Sequence, residues 1–172
     1  MTAKFWGQYE IREGHQAIFW YILLISDVSN ELDDFLNSFL RSDSFRDFCL
    51  PFTVKKFPME NYPFLERAFN QDTLSLSDFK VFSKKQLVSF FKDYSTSPSW
   101  GDDKDEFATI MNGYFDLLQK EASDRFFLIS KEWFDKGDKI LNSDSEIYIY
   151  YFLIIWFDGD KKVLNVCEWI YE

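Results

Sequence analysis

Apolar positions change their spacing along the chain, and the spacing predicts the elements. Ile147 to Phe157 is apolar at nearly every position, then comes Asp158-Gly159-Asp160-Lys161, then a second apolar run from Val163 to Tyr171. Two β-branched and aromatic runs around Asp-Gly predict a C-terminal β-hairpin, with the turn residues at φ > 0. Ile147, Ile149, Leu153 and Ile155 fall on one side of the first strand, and Tyr148, Tyr150, Phe152 and Trp156 on the other. A strand apolar on both sides is expected inside a sheet and covered on both faces. The aliphatic side reads as core. The aromatic side reads either as core under helices or as a surface that receives a partner.

Lys4 to Arg12 alternates loosely and predicts a strand; Glu13-Gly14-His15-Gln16 predicts a turn, and Ala17 to Ile25 a second strand. Val28, Leu32, Phe35, Leu36, Phe39 and Leu40 recur at helical spacing, with Ser26 or Asp27 as N-cap. A short strand is expected at Phe52 to Phe57, a short helix from Asn61-Tyr-Pro63 through Phe69, and an extended segment from Leu74 to Phe82. Ser83-Lys-Lys-Gln86 fits a capping box opening a helix to about Tyr94, with Leu87, Val88, Phe91 and Tyr94 inward. Ser95 to Gly101 reads as a loop. Phe107, Ile110, Met111, Tyr114, Leu117 and Leu118 mark a helix to about Ala122, followed by a strand from Asp124 to Ser130 and a short turn or helix ending near Gly137. No internal repeat or linker divides the chain. The expected fold is α+β over 1–172 as a single domain: a mainly antiparallel β-sheet, a C-terminal β-hairpin and about four helices packed on it, gathered on one face.

Composition adds one unusual feature. Aromatics make up 21% of the 172 residues, 21 of them Phe. Lys outnumbers Arg, and Ile, Asn and Ser are plentiful, so an AT-rich genome would write much the same excess. Cys49 and Cys167 lie far apart among apolar neighbours and read as buried thiols in a reducing compartment. No targeting segment begins the chain, and neither Ala17 to Ile25 nor Ile147 to Phe157 is long enough to span a bilayer as a helix. A cytoplasmic protein without membrane contact is expected.

Charge narrows the choice of partner. The net charge is −10, which repels phosphate backbones and disfavours direct nucleic-acid binding. The acids are uneven: Asp27 to Phe48 is net −4, Gly101 to Ile110 net −3 and Lys131 to the end net −4, whereas Cys49 to Trp100 is net +2. Asp33 and Asp34 load one helix start; Asp102, Asp103, Asp105 and Glu106 load another, where acids favour the positive helix end. The second group lacks the alternation, central Gly and closing Glu of an EF-hand loop, so no metal or other cofactor is expected.

Candidate chemistry is sparse. His15 is the one histidine, in a turn with no nucleophile or acid motif around it. No phosphate-cradling glycine loop and no G-x-S-x-G occurs. No catalytic residue is assigned, and a protein that works by binding is expected. Acidic, aromatic-rich and without a catalytic constellation, the chain is similar in composition to bacterial immunity proteins. That similarity implies a tight complex with a basic protein, a cognate toxin or nuclease, whose active site is occluded without chemistry. The expected contacts are Asp33, Asp34, Asp102, Asp103, Asp105 and Glu106, with Trp100, Tyr148 and Tyr150 as aromatic anchors. The alternatives are an acidic nucleic-acid mimic directed at a defence nuclease, or an accessory domain or enzyme with a nonstandard site. Oligomeric state stays open.

Overall fold

A computed structural model describes residues 3–26, 31–48, 67–96, 103–143 and 145–171. Six strands build one sheet: β1 (Ala3–Glu13), β2 (Gln16–Ile25), β3 (Lys80–Phe82), β4 (Phe126–Ser130), β5 (Tyr150–Asp158) and β6 (Val163–Tyr171). Their spatial order is β1-β2-β6-β5-β4-β3, and every neighbouring pair is antiparallel. Four α-helices occur among the described residues: α1 (Leu32–Leu40), α2 (Asp43–Phe48), α3 (Lys84–Ser95) and α4 (Lys104–Leu118). The architecture is α+β with a C-terminal hairpin, and β5 is interior, as its two-sided pattern predicts.

The helices do not share one face. Tyr151, Leu153 and Ile155 of β5, with Phe19, Tyr21 and Val166, pack under Phe35, Leu36, Phe39 and Leu40 of α1 and Phe45 of α2. On the other side Tyr150, Phe152, Ile154 and Trp156, with Trp20 and Trp169, pack under Leu87 and Phe91 of α3 and Phe107, Ile110 and Tyr114 of α4. The expectation of a one-sided helix layer is therefore corrected. β2, β5 and β6 bury both faces, and such strands need cover on both. The second layer is mostly rings: Phe91 lies 4.1 Å from Trp169, Phe107 stacks on Trp169 at 5.3 Å, and Trp20 meets Trp156 at 4.7 Å between centroids. Such pairs add about 0.5–1.5 kcal/mol each beyond the area they bury.

The start of the hairpin differs from the expectation. Ser145–Ile147 is a 3₁₀ turn and β5 begins at Tyr150, so Ile147 and Ile149 are 41% and 60% exposed rather than core. A 3₁₀ turn advances side chains by a third of a turn per residue, so the strand's alternation stops there. Tyr148 accordingly sits on the aliphatic side, 4.9 Å from Tyr151, and not beside Tyr150. The turn itself is also longer than two residues. Asp158 pairs with Val163, leaving 159–162 as the loop. The Asp158 carboxylate accepts the Lys161 N–H at 3.1 Å and meets its ammonium at 2.8 Å, which holds the carboxyl below the usual aspartate range. The positive φ falls on Lys162, at 52°, and not on Gly159. The two-residue turn belongs to the other hairpin, where Glu13 pairs with Gln16 and Gly14 takes φ +53° at the first central position.

Other elements follow their local signals. The capping box at α3 is complete: Gln86 N–H donates to the Ser83 hydroxyl at 3.2 Å, and Ser83 N–H to the Gln86 side chain at 2.8 Å. α1 begins at Leu32 with Glu31, not Ser26, at the N-cap position and without a side-chain cap; Asp27 lies outside the described residues. α2 is a helix that no spacing in the sequence announced, Leu76–Asp78 is a 3₁₀ turn within a predicted extended segment, and α4 stops at Leu118. Phe69 forms an isolated bridge with Leu141. Val28, Cys49, the strand at 52–57 and the helix start at 61–63 lie outside the described residues.

Candidate functional site

The acids of α4 converge with the β1–β2 turn at one end of the sheet. The Asp103 carboxylate accepts the Tyr171 hydroxyl, and its backbone carbonyl accepts Gln16 Nε2 at 3.2 Å. Gln16 Oε1 in turn accepts the buried Tyr150 hydroxyl at 2.7 Å. The first residues of β2 and β5 and the last of β6 thus hold the start of α4 in place. The bond to Asp103 favours the protonated phenol and pushes Tyr171 up to about 12. Burial raises Tyr150 further still.

Glu106, one turn on, lays its carboxylate over Gly14. A Cβ on Gly14 would stand 2.2 Å from Glu106 Oε2. Only glycine suits both that approach and the positive φ. Gly14→Ala is expected to cost about 1–3 kcal/mol, strain at φ > 0 plus displacement of the Glu106 side chain. A urea titration checks it; a shift within error of wild type would mean that the turn relaxes freely. Asp105 and Glu13 are exposed beside this pair, and Asp103 and Glu106 are half-buried. Glu13, Asp103, Asp105 and Glu106 therefore gather at this end, with Lys104 as the basic residue among them in sequence.

The structure brings together only part of the expected set. Asp103, Asp105 and Glu106 share this end with Tyr150. Asp33 and Asp34, exposed at the start of α1, are at the other end: Phe35 meets Phe157 at 5.6 Å near the close of β5, and Asp33 pairs with Arg125 at 3.0 Å just before β4. Seven strand rises, about 23 Å, separate Tyr150 from Phe157. Tyr148 and Tyr150 are 1% and 0% exposed, which corrects their reading as surface anchors. Aromatic rings offered that much burial between two helix layers are held by the core. Trp100 and Asp102 lie outside the described residues.

Two surface features were missed. Glu13 joins the acids only through the turn geometry, which no spacing along the chain announces. Phe5, Trp6 and Tyr9 on β1 are 39%, 61% and 47% exposed; the signal was the loose alternation of Lys4 to Arg12, which leaves polar and aromatic residues on both faces. His15 is exposed, and no hydrogen bond or ion pair reaches it among the described residues. Cys167 is fully buried and its thiol pushed up by desolvation, an inert arrangement. Among the described residues no group of three metal-ligating side chains occurs, and no helix is long and apolar enough to cross a membrane. Comparison with protein-family models, with curated proteins and with solved structures finds no match to this chain.

Proposed function

We propose that this protein binds a basic protein, a toxin or nuclease, and blocks it without chemistry, as an immunity protein does. The observation that carries the reading is the meeting of Glu13, Asp103, Asp105 and Glu106 at one end of the sheet, within a chain of net charge −10. Such a surface steers a cationic partner and substitutes for phosphate in its cleft. Affinity capture of the tagged chain from its native host, followed by mass spectrometry, identifies the partner, and purified partner then gives rates and loss of its activity. The association rate is expected to fall as salt rises, because screening shortens the reach of exposed charge to about 10 Å at 0.1 M. Glu13→Gln with Asp105→Asn, both at exposed positions, is expected to lower the association rate several-fold with little change in dissociation. A captured protein that is neutral or acidic, one whose activity survives binding, or an association rate indifferent to salt and to both substitutions overturns the proposal.

A further inference from the structure

β1 is the outermost described strand on its side of the sheet. It pairs with β2 on one side, and no described strand lies beyond it. A two-residue hairpin makes Glu13 and Gln16 a hydrogen-bonded pair, so Ile11, Tyr9 and Gly7 address β2 and the backbone groups of Arg12, Glu10 and Gln8 point outward. An exposed row of this kind is a template for another strand. The register shift between Phe5 and Gly7 ends the regular edge at Trp6 and turns its indole out.

The charge pattern says what fits this edge. Lys4 and Arg12 balance Glu10 and Glu13, so β1 is a neutral strip on a strongly acidic chain. A cationic strand would gain little there, whereas two copies of the same chain meet with least repulsion. We infer that β1 pairs antiparallel with β1 of a second copy across a two-fold axis at Tyr9. Outward residues must face outward residues, which leaves three central registers. Centring on Glu10 sets two carboxylates opposite each other, and like charges directly opposite destabilise a ladder; centring on Gln8 runs Arg12 past the end of the regular edge at Trp6. Centring on Tyr9 sets Gln8 opposite Glu10, places the two Tyr9 rings at the close non-hydrogen-bonded position, and brings Trp6 opposite Arg12, a cation over an indole. The axis stands perpendicular to the sheet, so both α4 helices lie on the same face of a continuous twelve-stranded sheet, twice the six of one copy.

Sedimentation equilibrium of the full chain tests the inference. A monomer–dimer equilibrium is expected, with the dimer favoured as salt rises from about 50 mM to about 500 mM, because screening relieves the repulsion of two acidic copies. That is the opposite salt response from capture of a basic partner, so the two proposals fail separately. Gln8→Pro removes an outward donor without touching the ladder to β2 and is expected to weaken the dimer about tenfold or more, since symmetry counts the loss twice. In a Cys49→Ser background, Tyr9→Cys is expected to form a disulfide-linked dimer on oxidation, the two Cα atoms lying within disulfide range. Ile11→Cys is not, because the two thiols would stand about 13 Å apart along the strands. A chain that stays monomeric from micromolar to submillimolar concentration, a dimer unmoved by Gln8→Pro, or cross-linking through Cys at 11 instead of 9 overturns it.

Discussion

Arg67→Met is expected to remove about 3–5 kcal/mol of folding stability, the cost of breaking a buried ion pair by removing one partner. Arg67 and Glu168 are 6% and 0% exposed by side chain. The guanidinium donates to Glu168 Oε1, which also accepts the Tyr151 hydroxyl at 2.7 Å, and lies 4.0 Å from the Phe45 ring centroid. Glu168 sits in β6, flanked by β2 and β5, so no rearrangement of one side chain brings its carboxylate to water. Without the cation the buried carboxylate loses its ion pair and keeps the Tyr151 hydroxyl. Arg67→Met with Glu168→Leu is expected to recover most of the loss, because an apolar pair of similar volume fills such a site as well as an ion pair does. Urea denaturation midpoints measure both. A single substitution costing no more than loss of the exposed Lys136–Glu146 pair, for which under about 1 kcal/mol is expected, would mean that solvent reaches Glu168.

Phe91→Ala is expected to cost about 3–5 kcal/mol, the range for removing a fully enclosed ring. Phe91 is 0% exposed and its ring meets Trp169, Phe152 and Tyr114 at 4.1, 5.3 and 6.1 Å between centroids. The cavity would open between α3 and the sheet, where rigid neighbouring rings collapse poorly. Phe91→Leu separates two explanations of the aromatic excess. If base composition alone placed phenylalanine here, leucine should serve nearly as well. If ring packing matters, Phe91→Leu loses stability clearly, though less than alanine, and the near-ultraviolet circular dichroism of the tryptophans changes with it. Against a typical total of about 5–15 kcal/mol, either this loss or that at Arg67 is a large part of the whole.

The elements legible in the sequence were those with local causes. Ser83 and Gln86 announce α3 because a capping box needs only residues three apart, and both of its hydrogen bonds are present. Phe107 to Leu118 announces α4 by period, and β5 announces its interior place by being apolar on both sides. The same two-sided pattern called for helices on both faces, and the error lay in gathering them on one. Where the chain bends, periodicity misleads: the alternation of β5 extended backwards puts Ile147 and Ile149 in the core, but a 3₁₀ turn exposes them. Asp158-Gly159 marked a turn correctly and its geometry wrongly, since Lys161 is drawn onto the Asp158 carboxylate and Lys162 takes the left-handed conformation. The candidate site was legible in its acids and not in its shape. Asp103, Asp105 and Glu106 stand together in sequence, but the contribution of Glu13 and the distance to Asp33 depend on which strand ends lie at which end of the sheet. Tyr148 and Tyr150 carry polar tips suited to an interface, yet their hydroxyls are as well served inside, where Tyr150 reaches Gln16.

The strand order also sets a timetable for folding. β2 is bordered on its inner side by β6, with Gln16 against Tyr171 and Leu24 against Val163. The N-terminal hairpin is made first and its neighbour last. Ribosomes add about 5–20 residues per second, so the apolar flank of β2 waits on the order of ten seconds for the strand that closes it. Until then the chain can pair β1 with β2 and β3 with β4 and β5, but cannot join the two halves, because both layers pack on a sheet whose middle strand is missing. Pairings this distant in sequence are slow to find and expose sticky edges meanwhile. A chain that ends before Val163 holds two half-sheets, β1–β2 and β3–β4–β5, with the strand that joins them missing.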